Sequence, residues 1–273
     1  MTLLAIDGDS FAHRAYHALP KTMRRGDGGP AGALLGFAGM LQRLWEAERP
    51  ETVLVAWDTL GVPTYRLEAF PAYQSGREFD DELVEQLDLL PGLVSSFGFL
   101  VAKGAGYEAD DFLAAAAASG GPVLVATSDR DAFQLASERV TILQPVRGVS
   151  ELARIGPAEV RERYDVEPEQ VPDFIALRGD PSDKLPGARG VGAKGAAKVL
   201  AEHGSLEGAL AAGRFASEAD DLRLYLRLAR LDAEAPLPPL RPTPPRFDEA
   251  AAHARELGLA QLARRLEEAS SSS

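Results

Sequence analysis

The chain has no cysteine, so disulfides, thiolate metal sites and a cysteine nucleophile are excluded. The absence also fits a reducing cytoplasm. No apolar run is long enough to span a bilayer, and the N-terminus opens on a strand-like segment rather than a signal peptide. A cytoplasmic protein with no membrane partner is therefore expected. Histidine is scarce, and His13, His17, His203 and His253 are too scattered for a zinc site. Positive charge is in deficit as well, with 29 Lys and Arg against 41 Asp and Glu, a formal net charge of −12. That deficit does not exclude a nucleic-acid partner, because the local field decides binding.

What the 273 residues do contain is a set of acids at the ends of apolar runs. Asp7 follows Leu3–Ile6, Asp58 follows Thr52–Trp57, and Asp129 follows Val123–Ser128. Each run is aliphatic, β-branched and too short for a helix, which predicts a buried strand. If the strands pair in parallel, three carboxylates meet at the carboxyl edge of the sheet, where open α/β folds bind ligands, with Asp131 two residues on. Glu108, Asp110 and Asp111 open the helix after the short strand Leu100–Ala102, at the same rim. Any one acid at a helix start or strand end reads equally well as a dipole partner or a turn residue. Seven together, joined by Asp180 and Asp183 in Gly179-Asp180-Pro181-Ser182-Asp183, point to bound cations, and hard oxygen ligands favour Mg²⁺ or Mn²⁺.

The cations cluster elsewhere. Residues 184–198 hold Lys184, Arg189, Lys194 and Lys198 with no acid among them. Gly190 and Gly192 permit a tight hairpin into a helix that starts near Ala193. Backbone N–H groups there, with Lys194 and Lys198 one turn apart, suit successive phosphates of a nucleic acid without reading its sequence.

These segments, in this order, resemble the 5′-nucleases of the flap endonuclease family, which include the 5′-nuclease domain of bacterial DNA polymerase I and free-standing 5′-3′ exonucleases. The match runs from Leu3 to about Ala212, through Asp7-Gly8-Asp9, His13 to Leu19, Trp57-Asp58, Tyr65-Arg66, Tyr107 to Asp111, Ser128 to Asp131 and Gly179 to Asp183. The resemblance implies an α/β fold, a mostly parallel central sheet flanked by helices (PIN-like), with a C-terminal helix-hairpin-helix region. It divides the chain into a catalytic core at 1–150 with a helical arch near 73–98, a helix-hairpin-helix region at 151–235, and a Pro-rich connection, final helix and Ser tail at 236–273. It implies a first metal site of Asp7, Asp58, Glu108 and Asp110 with Asp111 nearby, and a second of Asp129, Asp131, Asp180 and Asp183, for two-metal hydrolysis of a phosphodiester. It puts Arg14 and Arg66 at the phosphate, leaves Arg77 as the arch cation, stacks Tyr73 on a base, and places K⁺ at the hairpin. DNA with 5′ ends, nicks or flaps, or an RNA primer, is the implied substrate, with replication or repair proteins as partners of a monomer.

Two positions depart from the family. Gln74 stands where a lysine commonly follows the tyrosine, and Lys184 replaces an asparagine. The arch segment is acidic, with Glu78, Asp80, Asp81, Glu82 and Glu85, and the apolar spacing of Leu83, Val84, Leu87 and Leu90 predicts a packed helix. Two other readings stand beside a nuclease. One is a nuclease-like DNA-binding protein with weak catalysis, favoured by Gln74. The other is an aspartyl-phosphate phosphatase using Asp7 and Asp9. Elsewhere, helices are expected over 31–47, 152–164, 171–177 and 248–268, with an extended Pro-rich stretch at 236–245.

Overall fold

The computed structural model describes residues 2–76, 79–147 and 151–271. Its centre is a six-stranded sheet of order β3-β2-β1-β4-β5-β6. The strands are β1 (Leu3–Asp7), β2 (Thr52–Trp57), β3 (Leu100–Lys103), β4 (Val123–Ala126), β5 (Val140–Arg147) and β6 (Glu151–Ile155). The first five pair in parallel, and β6 returns antiparallel along β5. β1 and β2 are buried at every residue, as strands covered on both faces must be.

Side chains divide the core by parity. Leu3, Ala5, Leu54 and Ala56 face one layer, whereas Leu4, Ile6, Val53, Val55 and Trp57 face the other. The second layer is built from α1 (Gly8–Ala18), α2 (Gly32–Glu48), α4 (Asp81–Ser96), α11 (Phe247–Glu256) and α12 (Ala260–Ser270). The first holds α5 (Ala109–Ala117) and leads into the helical module α6 (Pro157–Tyr164), α7 (Val171–Arg178), α8 (Ala193–His203), α9 (Leu206–Ala211) and α10 (Ala219–Ala229). The short α3 (Tyr65–Ala69) lies between β2 and α4. Among the described residues no helix is long and apolar enough to cross a membrane.

Two expectations need correction. Residues 152–155, expected as the start of a helix, belong to β6, whose backbone pairs with β5 despite a largely polar sequence. The final helix is two, because Gly258 at φ +71° breaks it and its backbone abuts Gly26. The Pro-rich stretch does run extended, as a strap along the start of β2. Thr243 donates from its backbone to Glu51 O (2.9 Å) and accepts from Val53 N (2.8 Å), and Arg246 N reaches Phe97 O.

The strand order reverses at β1, from which the chain steps to β2 and β3 on one side and to β4 and β5 on the other. The crevice between β1 and β4 is the topological switch point. Asp7 ends β1 there and caps α1, accepting from Ser10 N at 2.9 Å. The next residue has to be glycine, since a Cβ on Gly8 would lie 2.6 Å from the Trp57 ring and 2.7 Å from Ala56 O. Gly8→Ala is expected to destabilise the fold by about 1–3 kcal/mol, the usual cost of overpacking a tight core. Denaturant titration showing a lowered midpoint with unchanged slope would confirm it; an unchanged midpoint would contradict the packing.

Candidate metal and nucleic-acid site

Parallel register delivers the acids to one place. Asp7, Asp58, Glu108, Asp110 and Asp129 line one cavity of about 390 Å³, joined by Asp9, His13, Gln74 and Phe79. Asp7, Asp129, Asp131 and Asp180 line an adjoining one of about 410 Å³, together with Arg130 and Arg178. Asp7, Ser10 and Asp129 are common to both.

Short hydrogen bonds aim these carboxylates. Thr127 donates its hydroxyl to Asp7 Oδ2 (2.7 Å) and accepts from Asp129 N (3.0 Å), so one side chain sets two acids. Asp9 accepts from Asp58 N (2.7 Å), and Asp58 accepts from Ala109 N (2.7 Å) at the start of α5. Asp129 accepts from Asp131 N. Asp180 accepts from Arg178 Nη2 (3.1 Å) and from Ser182, and Asp183 accepts from Gln74 Nε2 (2.9 Å). Asp110 Oδ1 is buried and accepts no hydrogen bond in the structure.

Burial raises the carboxyl pKa values throughout. It pushes Asp7 up from 3.8 to about 7, with Asp58 and Asp129 adding and the Ser10 and Thr127 bonds opposing. Glu108 likewise rises from 4.5 to about 7 by burial, against the Arg66 charge and with help from Asp58 and Asp111. Asp9, Asp110 and Asp131 are held well above the ordinary range by burial first and by neighbouring carboxylates second. Among the described residues, no three His, Asp or Glu side chains already stand closed into a ligand shell. The fit for a hard divalent cation rests instead on the all-oxygen donors, their mutual repulsion and the orphaned Asp110 oxygen.

Three of the expected site residues serve elsewhere. Arg66 is 1% exposed and does not face a substrate. Its guanidinium donates to both oxygens of Asp111 (2.7 and 2.8 Å), to Glu108, and to the carbonyls of Leu228 and Arg230. Asp111 lines neither cavity, and both its oxygens accept from Arg66, Glu108 N and Asp232 N. The Tyr73 ring is buried in the core, with its hydroxyl donating to Glu108 at 3.1 Å, so no face is offered to a base. Arg14 stands at the rim, donating to Ser128 Oγ (3.3 Å) and Pro145 O (3.4 Å). Arg77 lies outside the described residues.

Three residues were missed at the sequence level, Thr127, Arg178 and Phe79. Asp9, read from sequence only as part of the motif and as the phosphatase acid, instead positions Asp58, and Thr127 lies in the run before Asp129 without a chemical signal of its own. Arg178 lines the second cavity from the end of α7. Phe79, 38% exposed, lines the first cavity. No periodic signal marks either.

The basic segment forms a turn between α7 and α8. Lys184, Arg189, Gly190, Gly192, Lys194 and Lys198 are all exposed, and Gly190 has φ +76°. Gly192 caps α8 without a side-chain hydrogen bond, which leaves the first N–H groups of that helix open. Lys198 is paired loosely with Glu202 at 3.8 Å. Around α4 the pattern is opposite. Asp80, Glu82 and Glu85 are paired with Lys21, Arg24 and Arg25, while Leu83, Leu87, Leu90, Leu93 and Val94 are buried, so the acidic arch segment is a packed helix.

Residues 2–165 match the 5'-3' exonuclease N-terminal resolvase-like domain, and residues 166–243 match the 5'-3' exonuclease C-terminal SAM fold. The chain belongs to the 5'-3' exonuclease family. A 5'-3' exonuclease of Streptomyces coelicolor is 34% identical over 263 residues, covering 86% of this chain and 87% of that protein. DNA polymerase I of Mycobacterium tuberculosis is 46% identical over 211 residues, which is 75% of this chain but only 23% of the polymerase. The chain thus spans about a quarter of the curated polymerases it matches. Among solved structures, the T5 D15 protein co-crystallised with metal ions superposes with a TM-score of 0.73 at 19% identity, covering 98% of this chain and 99% of that one. Human GEN1 in complex with Holliday junction DNA gives 0.62 at 13% identity, over 93% of this chain and 67% of that one. These two likenesses show the fold, a mostly parallel sheet flanked by helices followed by a helical module.

The raised carboxyl pKa values fix a sign. The folded, metal-free protein keeps protons on Asp7 and Glu108 up to about pH 7, whereas the unfolded chain releases them near 4. Over that window the folded state binds more protons, so stability falls as pH rises. The melting temperature in chelator is expected to decline between pH 5 and pH 8, and added Mg²⁺ to flatten the decline. A rising metal-free profile would contradict the burial of these groups.

Proposed function

We propose that the protein is a divalent-metal-dependent, structure-specific 5′-nuclease that hydrolyses DNA phosphodiesters at 5′ ends, nicks or flaps, or at RNA primers. It would act as a cytoplasmic monomer beside replication or repair proteins. The observation that carries the reading is the convergence of eight carboxylates on two adjoining cavities at the switch point of the sheet, with an exposed basic hairpin in the following module. Asp7, Asp58, Glu108 and Asp110 would hold one Mg²⁺ or Mn²⁺ ion, and Asp129, Asp131, Asp180 and Asp183 a second. Bound there, such ions supply Lewis-acid activation of water and neutralisation of the phosphate.

The chain's own residues do the rest. Thr127 and Ser10 hold Asp7 oriented, and Asp9 holds the backbone of Asp58. Arg14 presents a cation at the rim. Phe79 offers an aromatic face at the opening, the sequence-tolerant stacking role expected of Tyr73. Lys184, Arg189, Lys194, Lys198 and the open N–H groups of α8 would grip backbone phosphates, with K⁺ at the same turn. The phosphatase reading is disfavoured, because Asp7 caps α1 and Asp9 is spent on Asp58 N, which leaves neither placed as nucleophile and acid.

End-labelled 5′-flap, nicked and single-stranded DNA incubated with Mg²⁺ tests the reading directly. Cleavage is expected to vanish in excess chelator and in Asp110→Ala. Ion binding at a hundredfold excess over its Kd would stabilise the wild type by about 2.7 kcal/mol, and Asp110→Ala should lose much of that shift. Full cleavage in chelator would overturn the proposal.

Gln74 decides the reading of a weak enzyme. Its amide donates to Asp183 and to the Tyr73 hydroxyl, so it occupies the site's edge as a neutral donor. Gln74→Lys would keep a donor there and add charge, which a well-placed site rewards with up to roughly 2–4 kcal/mol in the transition state. The single-turnover rate is expected to rise by less than that limit, with DNA affinity little changed. An unchanged or lower rate, with metal occupancy verified, would show that the site needs no cation at position 74.

A further inference from the structure

Away from the acids, helices α1, α2 and α12 enclose a cavity of about 880 Å³ with the opposite charge. Its floor is apolar, including Leu19, Met40 and Leu262, and its wall carries Arg14, Arg43, Arg264 and Arg265 against Glu268 alone. Among the described residues, Arg43, Arg264 and Arg265 make no salt bridge. Partial burial lowers the pKa of Arg265, and the nearby charge of Arg43 lowers it further against the charge of Glu46. Arg43, Arg264 and Arg265 are exposed, and Arg43 and Arg265 meet over Gly39. With Arg14 they outnumber the nearby acids Glu46 and Glu268, so the wall is locally positive in a chain of net charge −12 and suits an anion.

Arg14 joins this cavity to the carboxylates. Arg14 lines the arginine cavity with its Nε buried and without a hydrogen-bond partner, while its Nη2 reaches Ser128 Oγ, which lines the cavity of Asp129 and Asp131. We propose that the arginine-walled cavity holds a backbone phosphate of the same nucleic acid whose scissile phosphate lies at the carboxylates, with Arg43, Arg264 and Arg265 as its donors. The proposal rests on the nuclease reading. Planar guanidiniums match phosphate oxygens two at a time, and the apolar floor suits the sugar or base attached to that phosphate.

The test is fluorescence anisotropy with flap DNA across a salt series, in the non-cleaving Asp110→Ala background. Arg43→Gln with Arg265→Gln is expected to weaken binding and to lower the slope of log affinity against log salt by about 0.9 per lost duplex phosphate contact. Gly39→Glu keeps every arginine. A Cβ at that helical position lies 3.6 Å from an Nη2 atom of both Arg43 and Arg265, in ordinary contact, so the added carboxylate would take the phosphate's place. It should give the same loss while the melting temperature holds. Lys194→Ala, on the hairpin, separates the two claims. If it weakens binding while all cavity variants keep wild-type affinity and slope, the cavity assignment is overturned and the nuclease reading stands. If no flap DNA binds at all, the nuclease reading falls first and takes the cavity with it. If inorganic phosphate stabilises the wild type but not Gly39→Glu, and DNA affinity is unchanged in every cavity variant, the cavity belongs to a free anion and the backbone assignment is overturned.

Discussion

Burying an arginine beside an aspartate is costly unless every donor and acceptor is used, and in this fold they are. Arg66 projects from α3, Asp111 from α5, and the carbonyls of Leu228 and Arg230 close the guanidinium from the end of α10. Burial opposes the charge of Arg66, but the Asp111 bonds and the charges of Glu108 and Asp111 outweigh it and raise its pKa. Breaking such a pair by removing one partner typically costs about 3–5 kcal/mol, because the survivor is left charged and unpaired. The same guanidinium touches Glu108, and Asp111 also accepts from Asp232 N. The junction therefore fixes the carboxylate rim and the exit of the helical module in one rigid frame, which gives the distance between acids and basic hairpin a mechanical origin.

Within that frame, charge of each sign is confined. The acids of α4 do not lie open to repel a strand, since Lys21, Arg24 and Arg25 pair with Asp80, Glu82 and Glu85 across its surface. Exposed pairs of this kind add little stability each, about 0–1 kcal/mol. Their effect is on the field: they neutralise a flank of the first cavity, so the negative potential that remains is that of the carboxylates themselves.

The strand ends were legible in the sequence because strands buried on both faces leave unbroken apolar runs, and the acid that stops each run is conspicuous. The outcome at 108–111 was not. Successive helix residues point about 100° apart, so Asp110 and Asp111, identical in type and adjacent in sequence, face a cavity and a buried arginine respectively. Only the partner 45 residues away, Arg66, separates their roles. The same holds for Tyr73, whose environment is made by the core and not by its neighbours. β5 and β6 escaped notice for another reason: Thr141, Gln144 and Pro145 interrupt the apolar run of β5, and Glu151 and Arg154 that of β6, the half-exposed edge strand of the sheet.

The division of charge also bounds how the molecule can meet a polyanion. Two divalent ions would bring the formal charge from −12 to −8 (−12 + 4), which still repels nucleic acid as a whole. At physiological salt, however, the screening length is only about 8 Å, so exposed charges beyond that distance contribute little. Attraction must then come from groups in contact, and the structure offers exposed cations in two such places: the hairpin with the open start of α8, and the arginine wall between α2 and α12. A protein arranged this way should hold nucleic acid by a few local phosphate contacts rather than by a broad field, with the rigid Arg66 junction setting where those contacts fall relative to the carboxylates.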